Sequence, residues 1–98
     1  MPFRLTITPE AKNQVGEIMN DSSRAGLQKQ LKKAFGFLSQ NPKHPGLQSH
    51  PLQGSEKALG AKVWTSYVQN NTPQAHRILW SYGKQKDEIV ILAVIPHY

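Results

Sequence analysis

The first apolar run alternates. FRLTIT (Phe3 to Thr8) sets Phe, Leu and Ile against Arg and Thr, the two-residue period of a strand with one buried face. Pro9 stands where a first helical turn tolerates proline, with Thr8 placed to cap the helix and Glu10 near its positive end. Ala11, Val15, Ile18 and Met19 then form one apolar stripe at helical spacing. Asn20, Asp21, Ser22 and Ser23 interrupt it and can cap a second helix, whose stripe is Leu27, Leu31, Phe35 and Leu38, with Lys29, Lys32 and Lys33 on other faces as a solvated surface. Asn41-Pro42 ends it, because proline disfavours helical backbone in the residue before it. The pattern dissolves from Pro42 to Gly60 into Pro, Gly, His and Ser, with Leu47, Leu52 and Leu59 available to pin the segment to a core.

Three strand-like runs follow: AKVWTSYVQ (61–69), AHRILWSY (75–82) and EIVILAVIP (88–96), joined by NNTPQ and GKQKD. The last is apolar on both alternations, which predicts a central strand buried on both faces. The order is β-α-α-β-β-β, an α+β domain in which two helices pack on one face of an antiparallel sheet. Trp64, Trp80 and Tyr82 fall on apolar alternations and are assigned to the core, whereas Tyr67 stays open. His44 and His76 read as structural.

Length and composition narrow the picture. Ninety-eight residues, 38% of them hydrophobic, suit a single domain over 1–98 with one core. No run approaches the roughly 18 apolar residues that span a bilayer, and MPFRLTITPE lacks the apolar stretch of a signal peptide, so the expected location is cytoplasmic and no membrane partner is expected. There is no cysteine, which excludes disulfides and thiolate metal sites. Twelve Lys and Arg against six Asp and Glu give a formal charge of +6 and favour an anionic partner.

The four histidines show no metal-ligand spacing, and the chain has neither a P-loop nor a dinucleotide fingerprint, so no metal or cofactor is expected. What remains suits metal-free phosphodiester cleavage. RNA carries its own nucleophile in the 2′-hydroxyl. The protein need only supply a base, a cation for the charge that builds on phosphorus, and an acid for the departing 5′-oxygen. Histidine serves either proton role near neutrality, arginine grips phosphate, and aromatic rings stack on splayed bases. His50, Arg77, His97 and Tyr98 have these properties. Each has a plainer alternative: a loop histidine, a solvent-side charge on a strand, and a frayed terminal pair.

NPKHPGLQSHPLQG, VWTSYV, HRILWSY and an apolar strand ending in HY together resemble the RelE/ParE superfamily of toxins from toxin–antitoxin modules, and most nearly its YoeB-like mRNA interferases. The resemblance covers about the last two-thirds of the chain. It implies that Arg77, on the arginine of an HRLVY-type motif, contacts the scissile phosphate, and that His97 and Tyr98 are the active-site His-Tyr ending. His50 falls where YoeB-like toxins carry the glutamate of a PEPL motif and YafQ-like relatives a catalytic histidine, which makes it a general base or acid. Where relatives read WSRRI, Ser66 and Tyr67 here replace both arginines, leaving Lys43 and Lys62 as the RNA-binding cations. The implied activity is ribosome-dependent, metal-independent cleavage of mRNA in the ribosomal A site, with a small antitoxin as partner. The alternative is a non-catalytic ParE-like module that binds gyrase or only an antitoxin.

Overall fold

A computed structural model of the chain describes residues 2–54, 62–68 and 75–96. Strand β1 (Arg4–Ile7) leads into α1 (Pro9–Met19), a 3-10 turn (Ser22–Arg24) and α2 (Ala25–Gln40). A second 3-10 turn (Pro45–Leu47) precedes the two-residue β2 (His50–Pro51), and β3 (Trp64–Tyr67), β4 (His76–Tyr82) and β5 (Glu88–Pro96) complete the order.

Local chemistry sets the helix boundaries. Thr8 is extended and its hydroxyl accepts from the Ala11 amide at 3.2 Å, the cap anticipated for α1. Asp21 caps the first 3-10 turn through the Ser23 amide, and α2 stops at Asn41, whose backbone is extended before Pro42. The buried stripe of α2 is Leu27, Leu31, Ala34 and Leu38. Phe35 lies beside it and is only half-buried, because steps of four, three and four track the helical period better than four, four and three.

The strands form one sheet in the order β1-β5-β4-β3-β2. The expectation of an antiparallel sheet is corrected at one edge: β1 runs parallel to β5, with Leu5 opposite Ile89 and Ile7 opposite Ile91. The short connections of the meander force antiparallel pairing, whereas β1 reaches its neighbour only after both helices and three other strands. Both helices pack on the face that presents Ile78, Trp80, Ile89, Ile91 and Val94, all fully or nearly buried. No helix among the described residues is long and apolar enough to cross a membrane.

A register shift between Leu79 and Trp80 gives β5 one extra residue: Leu79 pairs with Ala93 and Trp80 with Ile91, leaving Leu92 between them. From α1, Gln14 accepts the Val94 amide at 2.7 Å, and the Thr8 hydroxyl donates to the Leu92 carbonyl at 3.2 Å. The bulge switches the side-chain alternation, so Ile89, Ile91 and Val94 share the helix face while Ala93 and Ile95 occupy the other. Burial of β5 on both faces is therefore partial: Val90, Leu92 and Ile95 are half-exposed. Two further expectations need correction. Tyr82 is 43% exposed at the end of β4 and Leu52 is 40% exposed, so Leu47 alone of these two loop leucines reaches the core. Leu59 lies outside the described residues.

Candidate active site

Paired residues on neighbouring strands project from the same face of a sheet. Tyr67 pairs with Arg77, and Arg77 with Ile95, which places all three on the face away from the helices. His50 pairs with Thr65 on that same face. The side chains then meet. Arg77 Nη2 donates to the Tyr67 hydroxyl at 3.2 Å, and its guanidinium lies 4.6 Å from the centroid of the Tyr67 ring. The His50 ring stands 5.8 Å from the same ring, tilted by 47°. His50, Tyr67 and Arg77 form a row, with the phenol in the middle.

The loop before β2 aims His50. Gln48 closes the second 3-10 turn in the left-handed region at φ 48°, ψ 43°, and its carbonyl meets His50 Nδ1 at 2.9 Å. A carbonyl only accepts, so Nδ1 carries the proton and the neutral ring keeps its free lone pair on Nε2. Between these residues, Ser49 ties the loop to the sheet. Its hydroxyl donates to the Pro42 carbonyl at 2.6 Å and so must accept from Ser66 Oγ at 2.6 Å, while Ser66 accepts from Trp80 Nε1 at 2.7 Å. The bonds all run one way, Trp80 to Ser66 to Ser49 to Pro42, and each polarises the next.

Two polar atoms near this face have no hydrogen-bond partner among the described residues: buried Arg77 Nε and Thr65 Oγ1. Leaving such a group unsatisfied costs about 1–3 kcal/mol. A guanidinium and an exposed imidazole with a free nitrogen, flanking one phenol ring, can hold an anion and accept a proton on one face.

The lysines expected to bind RNA are brought together, but elsewhere. Lys43 Nζ lies 5.4 Å and Lys62 Nζ 4.9 Å from the Trp64 ring centroid, and Trp64 stacks on core Trp80 at 5.7 Å. They therefore flank the helix side of the sheet rather than the row with Arg77. His97 and Tyr98 lie outside the described residues. Pro96, just before them, pairs with His76, the neighbour of Arg77. His44 is structural as expected, since its Nδ1 accepts the Gly46 amide and its ring stacks on Phe37 at 3.9 Å. His76 is half-buried, and desolvation, helped by the Arg24 charge, holds its pKa below the ordinary value. No group of three potential metal-ligating residues assembles among the described residues.

Hydropathy alone leaves Tyr67 open, but the alternation along β3 places it. Counting by twos from Trp64 sends Ser66 to the core face and Tyr67 to the other. Ser66 is indeed fully buried, so the serine at this position serves the core and not the row.

No protein-family model matches the sequence, and neither does any curated protein. The fold, however, is that of the YoeB, RelE and ParE toxins. It is similar along nearly its whole length to a YoeB/ParE toxin from Agrobacterium tumefaciens, with TM-score 0.72, 14% identity, and coverage of 97% of this chain and 99% of that one. A YoeB dimer from Staphylococcus aureus matches with TM-score 0.71, 13% identity and full coverage of both chains. The RelBE2 toxin–antitoxin complex from Mycobacterium tuberculosis matches with TM-score 0.65, 22% identity, and 99% and 100% coverage.

Proposed function

We propose that the protein is the toxin of a toxin–antitoxin pair and an endoribonuclease that cuts mRNA in the ribosomal A site, where cytoplasmic ribosomes expose single-stranded message. The observation that carries this reading is the row of His50, Tyr67 and Arg77 on one sheet face, where a proton acceptor and a phosphate-binding cation flank one aromatic ring. His50 Nε2 takes the proton of the 2′-hydroxyl. The resulting oxygen attacks phosphorus, and Arg77 stabilises the added negative charge. The bond from phosphorus to the 5′-oxygen breaks, with His97 returning a proton to that oxygen. The products are a 2′,3′-cyclic phosphate and a free 5′-hydroxyl. Tyr98 stacks on a base beside the cut, and Lys43 and Lys62 contact RNA outside the cleavage row.

A small antitoxin is the expected protein partner, a reading supported by the M. tuberculosis neighbour, which is a toxin–antitoxin complex. Induced expression with mapping of mRNA 5′ ends tests the activity. The expected result is translation arrest with cuts confined to translated message. DNA damage with intact message would instead mark a gyrase-directed protein of the ParE kind.

A further inference from the structure

We propose that Tyr67 is itself a catalytic residue whose phenolic proton bonds a non-bridging oxygen of the scissile phosphate beside Arg77. This rests on the nuclease reading above. The Tyr67 oxygen accepts from Arg77 Nη2 at 3.2 Å, so its own proton points away from the guanidinium. That proton meets no acceptor among the hydrogen bonds of the described residues. Its ring lies 4.6 Å from the guanidinium carbon, which holds the cation against one face and leaves the buried Nε–H without a partner. The pair thus offers a phenolic O–H without an acceptor beside the charge of the guanidinium. The His50 ring lies 5.8 Å from the same ring, on the strand to the other side of β3, so base, phenol and cation share one face. Preorganised donors of this kind act at the position where charge develops.

Three variants, assayed by single-turnover cleavage of mRNA on programmed ribosomes, separate contact from packing. Tyr67→Phe keeps the ring over Arg77 and removes the hydroxyl, with both the proton it donates and the bond it accepts from Arg77 Nη2. It should cleave about 10²-fold more slowly, the typical effect of removing one such donor, with an unchanged melting temperature. Tyr67→Leu loses the stacking as well and should fall further. Site-specific replacement of Tyr67 by 3-fluorotyrosine keeps both the ring and its O–H and should cleave at close to the wild-type rate. A wild-type rate for Tyr67→Phe overturns the proposal, even if Tyr67→Leu is slow, because the ring alone then suffices. A 3-fluorotyrosine protein as slow as Tyr67→Phe also overturns it. Arg77→Ala controls for the underlying reading. If it cleaves at the wild-type rate, or the wild-type protein cleaves nothing, that reading fails and affinity for an uncleavable 2′-deoxy message decides about Tyr67. There, Tyr67→Phe should weaken binding several-fold, and unchanged binding sinks the contact.

Discussion

His76 shows how one side chain links the site to stability. It begins β4 directly before Arg77, and burial together with the Arg24 charge keeps its imidazole neutral to lower pH than usual. The unfolded chain then binds the extra proton first, so stability rises with pH in this window. The contribution is complete above the ordinary value of 6.5 and fades as pH falls through the depressed folded value. Urea melts from pH 7.5 to 5 should show the parent weakening towards acid, with a shallower slope in His76→Gln. An identical slope in that variant would remove His76 as the cause. At this scale the sequence is only partly legible. His50 and Arg77 are recognisable by residue type, but whether they meet depends on the strand register that inserts Tyr67 between them. Tyr82 and Leu52 look like core residues by hydropathy, yet their places at the end of β4 and just after β2 leave them 43% and 40% exposed.

Elements read differently according to how locally they are determined. Both helices are visible in the sequence, because a cap at Thr8 and a stop at Asn41-Pro42 act within a turn. The two-residue β2 is not, since it exists by pairing with Trp64 and Thr65 across the sheet. The doubly apolar pattern of β5 was visible, but its cause was not. The bulge at Leu92 exchanges the two faces midway, so both alternations need apolar residues even though only one face at a time meets the helices. The hydrogen-bonded relay from Trp80 to Pro42 gives a test at this scale. Ser66→Ala removes its middle member and leaves the buried indole N–H unsatisfied. Denaturant melts should show a loss of about 1–3 kcal/mol. A change below about half a kcal/mol, within the scatter of surface substitutions, would mean the relay contributes nothing.

For the molecule as a whole, a cationic chain folds so that the helices cover one sheet face and the row of His50, Tyr67 and Arg77 occupies the other. Binding surface and packing surface are thereby largely separate, which predicts that activity can be removed without unfolding. A protein lacking His97 and Tyr98 should melt within a few degrees of the parent, because the core residues of β5 end at Val94. The same protein should still bind its antitoxin yet leave mRNA intact, as read by melting, co-purification and mapped message ends. Normal cleavage by the truncated protein would show that the pair is only a tail. Global topology was the least legible level. The alternation in Phe3 to Thr8 identifies a strand but carries no information about its neighbour or direction.

That distant neighbour matters for how the protein is made. Arg4 and Glu88, paired across β1 and β5, lie 84 residues apart. Strand β1 therefore waits, with its edge open, until the chain 84 residues further on has been made. The helices and the hairpin of β3 and β4 form from close neighbours in the chain, but the sheet is completed only after β5 arrives, a long-range closure that is intrinsically slow. Until then Arg77 lacks its partner Ile95. Vectorial synthesis thus leaves the sheet face that carries His50, Tyr67 and Arg77 incomplete until the last strand is made.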